Sequence, residues 1–184
     1  MDPLEQGRRS FLFTVGGLAI GPLLEQRIAA DQADAGGGFV LAPGEGEHLV
    51  HFRDGGNIFI KLGAAVGSSS LAVGTQQVKV GTGIPVHRHF KMDEAFYVLE
   101  GRGRVVLDDV RHAIAPGGTV FIPKNTWHAF ENPDQELLLL WIVSPAGLDG
   151  FFRDTCSPAG APAKALTRDQ IREIALRKHD TEFR

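Results

Sequence analysis

Residues 81–101 read GTGIPVHRHFKMDEAFYVLEG, and the placement of their histidines decides the fold. Successive side chains of a strand point to opposite faces, so His87 and His89 aim one way and Arg88 the other. Residues 90–93 can carry a tight turn, after which a returning strand presents Glu94, Phe96 and Val98 on one face. If the two faces coincide, two imidazoles and a carboxylate converge, which is most of a transition-metal ligand set. The competing reading is polar surface on an exposed strand. The punctuation speaks against it: Gly81 and Gly83 precede the pair, Pro85 sits beside it, and Gly101 closes the second strand.

A second stretch completes the set. Residues 117–132 read GGTVFIPKNTWHAFEN. The two stretches resemble the two motifs of the cupin family. Gly81, His87, His89, Glu94 and Gly101 match the first, G-x5-H-x-H-x4-E-x6-G, at every fixed position. Gly117, Pro123, His128 and Asn132 match the second, G-x5-P-x-G-x2-H-x3-N. The third fixed position of that motif, usually glycine, is Asn125, a residue that tolerates positive φ. The resemblance implies an all-β cupin double-stranded β-helix, a jelly-roll barrel, with His87, His89, Glu94 and His128 as ligands of one divalent transition metal. Three imidazoles and one carboxylate suit Mn(II), Fe(II), Ni(II), Cu(II) and Zn(II), and leave about two positions open on a six-coordinate ion.

Composition fits a soluble globular chain: 184 residues, 43% hydrophobic and 22% charged. A formal net charge of −3 favours neither nucleic acid nor an anionic membrane surface. No stretch is long enough for a stable membrane span. Cys156 is the only cysteine, which excludes an intrachain disulfide and a multi-cysteine zinc site. Oligomeric state is left open, a homodimer included.

Residues 1–35 read as an export signal. Arg8 and Arg9 precede an interrupted apolar stretch, and Ala33, Asp34 and Ala35 offer a small-x-small cleavage site. The run Arg8-Arg9-Ser10-Phe11-Leu12 resembles the twin-arginine consensus; the competing reading is a structured helix. Export implies a periplasmic or secreted protein, with residues 36–184 as one domain. Three of the 19 basic and five of the 22 acidic residues fall within 1–35, so the remainder is nearly neutral. The twin-arginine route, by resemblance, carries proteins already folded. Such a barrel closes where copper and zinc are scarce, which favours Mn(II) or Fe(II).

From residue 36 onward, at least eight short strands alternate with glycine turns, and strands are expected over 49–52, 58–62, 69–80, 105–107, 110–114 and 119–122. The run ELLLLWIV, 136–143, suggests a strand buried on both faces. Residues 147–152 allow one helical turn. Thr167 with Gln170 forms a capping box, opening a C-terminal helix whose Ile171, Ile174 and Ala175 should pack on the outside of the barrel. Phe96, Val98, Phe121, Phe130 and Trp141 have strand settings that could line a pocket, most of them as barrel core. His48, His51, His112 and His179 lie outside both motifs and read as surface or structural histidines, and Cys156 as incidental.

By resemblance, the function is that of a metal-dependent oxidoreductase of the quercetinase-like dioxygenase type, acting on a small oxygen-rich substrate with Glu94 as catalytic base. A non-catalytic periplasmic metal- or small-ligand-binding cupin and a sugar-type isomerase stay open as alternatives.

Overall fold

The computed structural model describes residues 38–184. The expected export signal at 1–35, with Arg8, Arg9 and its cleavage site, lies outside them. Among the described residues twelve strands form two antiparallel sheets. The larger has the order β11-β1-β2-β3-β10-β5-β8, and the smaller β12-β4-β9-β6-β7. In chain order the strands are β1 Glu47–Val50, β2 Asn57–Leu62, β3 Ala72–Val78, β4 Ile84–His89, β5 Asp93–Glu100 and β6 Gly103–Leu107. They continue with β7 Val110–Ile114, β8 Thr119–Ile122, β9 His128–Glu131, β10 Leu137–Ser144, β11 Ser157–Pro158 and β12 Thr181–Phe183. Two helices, α1 Leu148–Thr155 and α2 Arg168–His179, complete the chain. This is the all-β jelly roll with a C-terminal helix that the motifs imply.

The inner faces follow strand alternation. In β5 Glu94, Phe96 and Val98 are buried, and β10 buries Leu137, Leu139, Trp141 and Val143. Gly74 on β3 stands opposite Trp141, and a Cβ there would collide with the indole and with the Phe59 carbonyl. The glycine lets the largest core side chain sit flat against the sheet. The β6–β7 hairpin turns through Asp108 and Asp109, both at positive φ, as a two-residue hairpin requires.

Several expectations are corrected. β10 is not buried on both faces: it lies in an antiparallel sheet, and its other face carries Leu138, Leu140 and Ile142, the last 38% exposed. Phe121 is turned to the same outer surface and is 61% exposed, so it faces away from the barrel interior. The strand expected over 69–80 is only Ala72–Val78, and the helical turn at 147–152 extends to Thr155. The capping box is present, with Thr167 and Gln170 bonded in both directions. Its helix lies on the outside of the barrel with most of its residues exposed. It packs on α1 and β12, and its Ile171 lines a cavity shared with both sheets and α1. Ile171 and Ala175 are buried, and Ile174 is only half-buried.

Candidate metal centre

β4 delivers two of the four candidate ligands. Its pairing with β9 slips between Ile84 and His87, so one extra residue is accommodated on the β4 side. Pro85, which has no N–H to give the ladder, stands in this irregularity. The consequence is that Ile84 and His87, three residues apart, both face inward. A regular strand would have put them on opposite faces. β5 brings Glu94, and His128 opens β9 directly opposite His87.

His87, His89, Glu94 and His128 are all buried, and one donor atom from each lies within 4.8 Å of the others. Glu94 Oε2 is 3.3 Å from His89 Nε2 and 3.1 Å from His128 Nε2. Each ring is held by its other nitrogen. His87 Nδ1 donates to the Pro85 carbonyl at 2.8 Å and His128 Nδ1 to the Thr126 carbonyl at 3.0 Å. His89 Nδ1 lies 2.8 Å from Thr181 Oγ1, whose own proton goes to the His179 carbonyl at 2.9 Å. That hydroxyl therefore accepts from His89. With protons on all three Nδ1 atoms, the neutral rings aim bare Nε2 lone pairs inward, the arrangement that prepares imidazoles for a metal.

The centre is poorly balanced by protein groups alone. His89 Nε2, His128 Nε2 and Glu94 Oε2 are buried without hydrogen-bond partners. Lone pairs facing a carboxylate repel unless a cation lies between them, so this donor set could hold a metal ion. Burial pushes the His87 ring well below its ordinary pKa, and His128 and His89 add to this. Burial acts to raise the Glu94 pKa, while positive charge on His89 and His128, a role that a cation held among the lone pairs would take over, outweighs it and holds the carboxyl well below the usual range. Both shifts keep the groups in their metal-binding forms.

A cupin domain model matches residues 74–143. Protein SchB of Streptomyces halstedii is 32% identical over 117 residues, spanning 59% of this chain and 85% of that protein. The chain belongs to the cupin superfamily. An uncharacterized protein of Methanocaldococcus jannaschii is 40% identical over 55 residues, 30% of this chain, and the match spans only 44% of that relative. Among solved structures, KdgF from a Halomonas species superposes with a TM-score of 0.53 at 20% identity, covering 62% of this chain and 98% of that one. An RmlC-like cupin from Shewanella frigidimarina gives 0.52 at 23%, covering 61% and 94%. At those identities the likeness concerns the fold.

In this cupin the second motif's departure is absorbed as its chemistry allows: Asn125 sits at φ 67°. The motif's last residue, Asn132, is a buried clamp. Its amide donates to the Val78, Lys79 and Gln135 carbonyls, and its Oδ1 accepts the Gly83 N–H at 2.9 Å.

A cavity of about 530 Å³ opens beside the four candidate ligands, lined by His87, His89, Glu94 and Phe96 and walled by Phe151 and Phe152 of α1. Of the other pocket candidates, Phe130, Val98 and Trp141 are core, as expected. Cys156 is buried, and burial pushes its thiol pKa up, which suits an inert residue. His112 is exposed on β7, and His179 bonds Asp154 at 3.0 Å.

The sequence reading missed the contribution of β12. Thr181 and Phe183 pair with His89 and His87 across the strands, and the Phe183 ring stacks on His87 with centroids 5.3 Å apart. No local pattern announces this contact, because Thr181 lies 92 residues from His89. Thr181→Val should weaken metal affinity by roughly 10- to 100-fold, the usual cost of losing such a support. Competition with a chelating dye would measure it, and an unchanged affinity would show that His89 needs no such holding.

His51 is buried and carries a pH signature. Burial lowers its pKa from 6.5 to about 3. A depressed pKa stabilises the fold above the unfolded value, and that contribution drains away as pH falls below 6.5 toward 3. Between about pH 7.5 and about pH 5 the metal-free protein should therefore lose roughly 2 kcal/mol more than His51→Gln does. Urea unfolding at the two pH values checks it; parallel losses in both proteins would count against the assignment.

Proposed function

We propose that this cupin is a metal-dependent enzyme, an oxidoreductase of the dioxygenase type acting on a small oxygen-rich substrate. The observation that supports this is the buried centre of His87, His89, Glu94 and His128 opening onto a cavity large enough for a second ligand. Those four residues would hold one divalent ion, Mn(II) or Fe(II) by preference. Such an ion supplies Lewis acidity and, when redox-active, one-electron chemistry.

The chain's own residues do the rest. Nδ1–H bonds to Pro85, Thr181 and Thr126 keep the three rings in one tautomer and one orientation. Glu94 is the acid–base residue: its Oε2 has no hydrogen-bond donor of its own and can take a proton from a substrate hydroxyl beside it. Phe96, Phe151 and Phe152 give the substrate body apolar walls and exclude water from the reacting end. Export of the folded protein by residues 1–35 belongs to the same proposal, and it favours an ion acquired before export.

An oxygen electrode tests the reading. Catechols, flavonols and enolic diketones should support oxygen uptake by protein loaded with Mn(II) or Fe(II). Uptake should vanish after chelation and in Glu94→Gln that has been shown to retain metal. No uptake with any of these, together with tight metal retention, would favour a non-catalytic binding cupin.

A further inference from the structure

The metal ligands occupy only part of the cavity. The same space is lined by His51 and Arg53, in the loop after β1, and by Gln76 on β3. His51 and Gln76 are each 4% exposed, and the Arg53 side chain 15%. These are polar groups inside a cavity whose walls are otherwise rich in phenylalanine.

Arg53 has five N–H donors. Among the described residues it gives one, from Nη2 to Asp54 Oδ2 at 3.3 Å, while its Nε is buried without a partner. Asp54 spreads its charge over other donors: the Gly56 and Lys79 N–H groups and the Thr82 hydroxyl, at 3.0 to 3.1 Å. Part of the guanidinium charge is therefore left for something else. His51 points to the same chemistry. Its Nδ1 accepts the Arg53 backbone N–H at 3.0 Å, so the proton of the neutral ring sits on Nε2. Burial keeps that ring neutral. The pair thus presents donors and no acceptor, and Gln76 adds an amide. Donors of this kind select an oxyanion. One partly compensated guanidinium beside a neutral imidazole suits a single negative charge, a carboxylate rather than a phosphate dianion. The wider lining agrees: Lys164, Arg168, Arg172 and Arg184 are cationic, and among the described residues that line the cavity Glu94 is the only acidic one. Such a field draws anions toward the opening.

We propose that His51, Arg53 and Gln76 form a carboxylate-recognising subsite, and that the substrate is an organic acid whose carboxylate meets Arg53 while its oxygen-rich end meets the metal centre. The second half rests on the function proposed above. The first half stands on the cavity alone.

Matched probes separate the two. Calorimetry on the full chain, metal-free and Zn(II)-loaded, would compare catechol with 3,4-dihydroxybenzoate, its acetate and propionate homologues, and the corresponding amides, a series of increasing reach. At least one acid should bind about tenfold tighter than its amide in the wild type, as a charge-assisted pair requires. Arg53→Gln should erase that preference and leave catechol binding within about twofold. If no acid in the series outbinds its amide, or if Arg53→Gln keeps the preference, the subsite is overturned. The wild-type comparison needs no variant to fold. Inorganic phosphate should compete more weakly than acetate; the reverse order would overturn the carboxylate assignment. Catechol that binds Zn(II)-loaded and metal-free protein equally would count against the metal-centred function alone, because the acid-over-amide comparison in metal-free protein still reads the subsite.

Discussion

His89→Ala is expected to strip the protein of metal. The substitution removes one of four converging donors. Loss of a supporting residue alone typically lowers metal affinity by roughly 10- to 100-fold, so loss of a ligand should exceed about 100-fold. Elemental analysis after dialysis against a weak chelator would then find little metal in the variant and close to one equivalent in the wild type. His112→Ala is the control, because His112 is exposed on β7, away from the cluster. Circular dichroism should show both variants folded, since the core made by Trp141, Phe130, Leu137 and Leu139 is untouched. Equal metal in wild type and His89→Ala would remove His89 from the ligand set.

The largest loss of stability is expected from Asn132→Ala. The side chain is 2% exposed and serves four backbone groups. Those groups belong to the end of β3, the approach to β4 and the turn before β10. An alanine leaves three carbonyls and the Gly83 N–H without this partner, and each buried unsatisfied group costs about 1–3 kcal/mol. Some will find water or a neighbour, so a loss of roughly 3–5 kcal/mol is expected in urea unfolding. For a chain of this size that lowers Tm by roughly 6–20 °C. Metal affinity should also fall, because Gly83 anchors the strand that presents His87 and His89. A loss below about 1 kcal/mol would mean that the clamp is redundant.

How much of this was legible in the residues follows from which interactions are local. Spacing put His87 and His89 on one face and Glu94 on the returning strand, and the motif resemblance added His128. All four meet as expected, because alternation along a strand and a short turn are properties of neighbouring residues. The same holds for the Asp108–Asp109 turn, the positive φ at Asn125 and the capping box at Thr167. Burial of both faces of 136–143 did not follow, although the run is continuously apolar. Sequence hydrophobicity does not say whether anything covers the second face, and here Ile142 and Phe121 are left open.

Tertiary structure alone decided what surrounds the centre. The slip in the β4–β9 pairing turned Ile84 and His87 inward together, against the period of a regular strand. A terminal strand reached across the fold to set Thr181 on His89 and Phe183 on His87. The loop after β1 brought His51 and Arg53 to the cavity that the ligands open onto. None of these contacts has a sequence period, because each joins residues whose separation along the chain is set by the path of the barrel. The sequence determined the cluster of His87, His89, Glu94 and His128 and the fold class, since those rest on local alternation, turn chemistry and motif spacing; the pairing of distant strands decided which groups support that cluster and which charges line the cavity beside it.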